Sequence, residues 1–141
     1  MSQLTRDITQ ISRCSNQFRN DFLASIDLKS SHSSYLTQII RSPGISQDKL
    51  AKLIYIDKSN VARQAAALEE GGFIKRCCCD KDKRIMRLYP TEKTLALLPE
   101  IDRIMLSWQE QLTQDLSEQE QQLLEAMLLK MRSRASAYME D

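Results

Sequence analysis

Glycine and proline are scarce in this chain, three of each in 141 residues. That scarcity removes most of the tight turns a many-stranded β protein needs, so helices should dominate. No apolar run approaches the roughly 18 residues that a membrane-spanning helix requires. The first thirty residues carry charges throughout and lack the apolar stretch of a signal peptide. The expectation is a cytoplasmic protein with no membrane partner. In a reducing compartment the four cysteines, Cys14, Cys77, Cys78 and Cys79, should be free thiols and not a disulfide framework. Histidine occurs once, as His32, far in sequence from the cysteine run. Along a strand Cys77 and Cys79 point one way and Cys78 the other, so the three cannot cage one zinc without distortion. No metal and no cofactor are expected. The lack of a histidine base near the cysteines, of a glycine-rich phosphate loop and of paired catalytic acids also argues against a thiol enzyme.

Apolar residues make up 42% of the chain, enough for one compact domain overall. The net charge is only +1, yet it is unevenly distributed. Residues 46–90 hold ten Lys or Arg against six acids, a net +4, while residues 1–45 carry +2 and residues 91–141 carry −5. The middle third suits a polyanion and the acidic C-terminal third faces elsewhere.

Leu4, Ile8, Ile11, Phe18 and Phe22 recur at helical steps and predict an amphipathic helix over roughly residues 3–25. A shorter helix follows, with Ser30 or Ser31 as candidate N-caps and Tyr35, Leu36, Ile39 and Ile40 on its apolar side, ending at Ser42-Pro43-Gly44. Ser46 then caps a helix carrying Leu50, Ala51, Leu53 and Ile54. Asp57 or Ser59 caps the next, which carries Val61, Ala65 and Leu68 and stops at Gly71-Gly72 in a left-handed turn. Phe73–Cys79 and Ile85–Tyr89 read as strands around the charged tip Asp80–Arg84, a two-stranded wing. A helix from Thr91 to about residue 112 should bend or restart at Pro99. The last helix opens on a Ser117–Glu120 capping box and should bury Leu123, Leu124, Met127, Leu128, Met131 and Tyr138. The fold class is thus mainly α with a small two-stranded β wing, a winged helix-turn-helix over residues 46–88. Residues 1–30 supply an N-terminal dimerisation helix, 31–90 the core and 91–141 C-terminal dimerisation helices. The apolar stripes at both ends exceed what one small core can cover, and a homodimer is the simplest resolution.

Ser42-Pro43-Gly44-Ile45-Ser46-Gln47-Asp48-Lys49-Leu50-Ala51, Ile56–Arg63, Leu68–Arg76, Asp82-Lys83-Arg84, Leu88 and Thr91-Glu92-Lys93, in that order and spacing, resemble the MarR family of bacterial transcription regulators. The resemblance implies a homodimer with interlocking terminal helices, whose paired winged helices read a pseudo-palindromic operator in double-stranded DNA. Members are usually repressors, released by a small ligand or by thiol oxidation. Two positions depart from the family pattern. Tyr55 stands at a turn position often held by glycine, and Cys77-Cys78-Cys79 replaces mainly basic and proline-containing residues.

A recognition helix enters the major groove with its N-terminal turns first, which nominates Lys58, Ser59, Asn60, Arg63 and Gln64 as base readers. Arg63 suits guanine O6 and N7, and Asn60 or Gln64 suits adenine N6 and N7. Ser46 and Gln47 open the preceding helix, where free N–H groups favour phosphate. Lys81 and Lys83 should also meet phosphates. At the wing tip, Arg84 resembles the family arginine that enters the minor groove, and Asp82 the acid that orients it.

The cysteines offer a redox switch. Cys77, Cys78 and Cys79 lie beside Arg76 and several lysines, and oxidation there would alter the wing. Cys14 reads better as a small buried hydrophobe on the first helix. A small-molecule effector is the rival switch, with Tyr35, His32 and Phe18 as weak candidates for its pocket. Against the DNA-binding regulator stands a winged helix used only for protein contacts, which would have no need of Lys58, Asn60, Arg63 and Arg84 together.

Overall fold

The computed structural model describes residues 2–140, the side chain of Ser30 excepted. In chain order the elements are α1 (Gln3–Leu23), a 3-10 turn (Ala24–Ile26), α2 (Ser30–Arg41), β1 (Ile45–Ser46), α3 (Gln47–Ile54), α4 (Lys58–Glu70), β2 (Ile74–Cys78), β3 (Met86–Pro90), α5 (Glu92–Leu112) and α6 (Glu118–Glu140). They fall into two compact units, residues 1–102 and 103–141.

Cap chemistry sets several helix starts. Ser2 Oγ accepts from the Thr5 N–H at 3.2 Å, Ser46 Oγ from the Lys49 N–H at 3.1 Å, and Asp57 Oδ1 from the Asn60 N–H at 2.8 Å. Each such cap contributes on the order of 1 kcal/mol. Asp57, not Ser59, caps α4. The start of α2 differs from expectation: Lys29 sits at the cap position without a side-chain bond, and Ser31 lies inside the helix. The other candidate, the Ser30 side chain, lies outside the described residues. A left-handed residue closes α3, Tyr55 at φ 56°, whose N–H bonds to the Ala51 carbonyl. That conformation costs a residue with a β-carbon about 1–2 kcal/mol. Gly72, at φ 81°, makes the corresponding left-handed step between α4 and β2 without that penalty.

The sheet has three strands where two were expected. β3 is central, in the order β1-β3-β2, all antiparallel. Ile45 lies opposite Leu88 and Ser46 opposite Arg87 on one side; Arg76 and Cys77 face the same two residues on the other. Two residues are too few for β1 to leave an alternating pattern in the sequence, so only its pairing reveals it. Ile45, Ile74 and Leu88 share the buried face. Tyr35 and Ile39 of α2, Leu50 of α3, and Val61 and Leu68 of α4 join them in the core, each 2% exposed or less. Thr94 Oγ1 donates to the Phe73 carbonyl at 2.6 Å and Thr91 Oγ1 to the Gly72 carbonyl at 2.7 Å, latching the start of α5 to the start of β2.

α5 continues through Pro99 without a restart. In the second unit the capping box forms: Ser117 Oγ accepts from the Glu120 N–H at 3.1 Å, and Glu120 Oε1 from the Ser117 N–H at 2.9 Å. Two sets of residues expected to be buried are exposed within the single chain. Leu123, Met127, Leu128, Met131 and Tyr138 are exposed on α6, the last by 80%, and Leu124 is half-buried. Cys14 is exposed as well, along with Leu4, Ile8 and Ile11. Helical periodicity gave these residues a common side, and within the single chain the core reaches α1 only from Phe22 and Leu23.

Candidate nucleic-acid interface

Residues from α3, α4 and the wing meet on the first unit. In the opening turns of α4, Lys58, Ser59 and Arg63 are exposed, while Asn60 and Gln64 are half-buried. Lys58 Nζ lies 3.4 Å from Asp48 Oδ2 of α3, with both side chains about two-thirds exposed. A pair so open to solvent is worth under about 1 kcal/mol, so Lys58 is readily surrendered to a polyanion. Gln64 is placed differently from a solvent-facing reader. Its Oε1 is 2.7 Å from Nε2 of buried His32 on α2, and its Nε2 donates to Asn60 Oδ1 at 3.4 Å.

The wing tip is built around one carboxylate. Asp82 Oδ1 accepts from the Arg84 N–H at 3.0 Å and from Nε at 3.1 Å, and Oδ2 accepts from Nη2 at 3.1 Å. The bidentate Arg84 guanidinium and the Arg84 N–H hold the Asp82 carboxyl below the usual carboxylate range. The Arg84 side chain is 91% exposed, so it is aimed without being covered. Lys81 and Lys83 flank it, both exposed.

Between the head of α3 and this wing lies a cavity of about 220 Å³, lined by Ser46, Gln47, Asp48, Arg84, Ile85, Met86 and Arg87. Its lining combines the opening residues of α3, at the positive end of that helix's dipole, with two arginines and the Asp48 carboxylate. Gln47 Oε1 is buried there without a protein partner.

Three contributors escaped the sequence reading. Arg87 donates from Nη1 to the Gly44 carbonyl at 2.9 Å, tying β3 to the turn before β1 and α3. Glu69 of α4 accepts from the Arg76 N–H at 2.7 Å and from its Nε at 3.1 Å, fastening the base of the wing to the recognition helix. The Arg76 backbone N–H, and then its side chain, lower the Glu69 carboxyl. His32 is the third. The Arg76 and Arg87 contacts join residues adjacent in space and apart in sequence, so only the alternation of β2 and β3 hinted at them.

The cysteines are not equivalent. Cys78 is exposed, and Cys77 and Cys79 are half-buried. The N–H groups of Asp82 and Lys81, then the Arg87 side chain, push the Cys79 thiol below the ordinary thiol range. Among the described residues no cluster of His, Cys, Asp and Glu is able to hold a metal ion. Tyr35 and His32 are core residues and Phe18 is half-buried; none of the three lines the larger cleft, about 460 Å³ between α1 and α2, which is walled by Asn16, Arg19, Ser31, Ser33, Ser34, Thr37 and Gln38.

Known proteins share this arrangement. Residues 28–86 match the MarR family. The uncharacterized HTH-type transcriptional regulator YybA of Bacillus subtilis (strain 168) is 35% identical over 103 residues, which is 73% of this chain and 69% of that protein. The crystal structure of the transcriptional regulator SlyA superposes with a TM-score of 0.91 at 34% identity, covering 99% of this chain and 98% of that one. A MarR family regulator from Listeria monocytogenes, solved in complex with a 26mer DNA, gives a TM-score of 0.89 at 27% identity, covering 99% and 93%. With identity of this extent to a named regulator and the whole winged fold held in common, the chain belongs to the MarR family of transcriptional regulators.

Proposed function

We propose that this chain is a homodimeric repressor that reads a pseudo-palindromic operator in double-stranded DNA. In this reading Lys58, Ser59, Asn60 and Arg63 face base edges, with Gln64 supporting them from behind. Ser46, Gln47, Lys81 and Lys83 meet phosphates, and Arg84, aimed by Asp82, enters the minor groove. The observation that carries the reading is the wing tip: an almost fully exposed arginine held in a bidentate grip beside an open recognition helix. A module for protein contacts alone has no use for a cation so placed. Dimerisation is supported by the exposed apolar side chains Leu4, Ile8 and Ile11 on α1 and Leu123, Met127 and Leu128 on α6.

Arg84→Ala is expected to lower operator affinity at least about tenfold in an electrophoretic shift assay and to leave the dimer intact by light scattering. An unchanged shift removes Arg84 from the interface.

Thiol oxidation is one candidate switch, through Cys79, a half-buried wing thiol held below the ordinary thiol range by the Asp82 and Lys81 N–H groups and the Arg87 side chain. Peroxide should oxidise Cys79 first, to a sulfenic acid with water as the reduced product, read as protection from alkylation and as DNA release, and dithiothreitol should reduce it and restore binding. A variant with Cys14, Cys77, Cys78 and Cys79 all replaced by serine that still responds to peroxide like the wild type rules thiols out. A small polar effector, the other switch, would fit the cleft between α1 and α2 in size and lining.

A further inference from the structure

His32 is 7% exposed, the sole histidine of the chain, and stands on α2, outside the DNA-facing elements. Its partner is nevertheless on the recognition helix. Nε2 lies 2.7 Å from Gln64 Oε1, and an amide oxygen only accepts, so the ring nitrogen facing it carries the proton. The other end of the Gln64 amide then points a donor at Asn60, where Nε2 meets Oδ1 at 3.4 Å. One helical turn separates Asn60 and Gln64, so their side chains are neighbours on one face. Asn60 Oδ1 is thereby engaged, and among the described residues no other group engages its Nδ2.

We infer that His32 is a specificity-determining residue, which through Gln64 sets the polarity of the Asn60 amide so that Asn60 offers DNA a donor. The inference rests on the reading of Asn60 as a base-facing residue. It departs from the adenine pairing expected from the sequence, which uses the oxygen and nitrogen of the amide together. A donor is matched by guanine O6 and N7, by thymine O4 or by adenine N7; cytosine presents only its N4 donor and opposes it. In the arrangement seen, His32 Nε2–H donates to Gln64 Oε1 and Gln64 Nε2 donates to Asn60 Oδ1. Reverse any one amide and the next must turn over as well.

Selection from a random duplex library, followed by sequencing, tests this at the operator position whose preference Asn60→Ala flattens. The wild type should disfavour cytosine there by about tenfold relative to the other three bases. Gln64→Glu keeps the acceptor for His32 and replaces the donor toward Asn60 with a carboxylate oxygen. Asn60 should then turn its Nδ2 inward and its Oδ1 outward, and cytosine should rise in the ranking while guanine and thymine fall. His32→Phe, which removes the donor, should flatten the ranking about as far as Asn60→Ala does. His32→Gln, whose Nε2 can donate in the same place, should restore it, with thermal melting followed for every variant.

A wild-type ranking retained by Gln64→Glu overturns the inference, as does a wild type that prefers cytosine at that position. Should His32→Gln melt like the wild type and yet be as flat as His32→Phe, the relay is also overturned. If Asn60→Ala flattens no position, it is the base-reading role of Asn60 that fails, a result distinct from a silent relay.

Discussion

Leu88→Ala is expected to lower the unfolding free energy by about 2–5 kcal/mol. Leu88 is fully buried on the central strand, opposite both Ile45 and Arg76, and its carbonyl accepts from the Gly44 N–H at 2.8 Å. Truncation removes apolar burial and leaves a cavity under three strands and α2, which the backbone pairing on either side prevents from collapsing. Urea denaturation should show the midpoint falling with little change in slope. Leu53→Ala is the control: Leu53 is 48% exposed, and its loss should cost no more than about 0.5 kcal/mol. A loss below about 1 kcal/mol for Leu88→Ala would mean that β3 is not the centre of the packed core.

Operator affinity should fall roughly a hundredfold as monovalent salt rises from roughly 50 to roughly 200 mM. Lys81 and Lys83 are exposed at the wing tip, and a dimer presents two such wings, giving about four neutralised phosphates and a log–log slope near −3.6. Replacing both lysines with alanine should flatten the slope by about that amount, with sequence preference unchanged, because phosphate contacts carry no base information. Arg84→Ala, by contrast, should reduce affinity with a smaller change of slope. Binding independent of salt would be incompatible with the proposed phosphate contacts and would favour a module for protein contacts.

Local chemistry made much of this molecule legible. Ser46 and Asp57 are short polar residues directly before apolar-periodic runs, and each caps the helix it precedes. Ser117 and Glu120 sit at capping-box spacing and bond reciprocally. Asp82 and Arg84 are two residues apart in a turn, close enough for one carboxylate to bind the arginine through backbone and side chain alike. In all these cases the partners lie within four residues, and chain geometry alone brings them together.

Periodicity places residues on one side of a helix and does not specify what covers that side. The stripe that placed Cys14 between Ile11 and Phe18 describes one side of α1 correctly but says nothing about what covers it, and Cys14 is exposed. The same holds for Leu123 and Tyr138 on α6.

The sequence by itself determined the helices, their caps, the wing hairpin and the exposed arginine at its tip, because propensity, side-chain period and short-range hydrogen bonds act within a few residues. Only the tertiary structure decided that Ile45 and Ser46 add a third strand against Leu88 and Arg87, and that Arg87 reaches the Gly44 carbonyl. It also decided that Gln64 turns toward His32, thirty-two residues earlier in the chain. Those contacts depend on which elements the burial of the core brings side by side, and no local pattern records that choice.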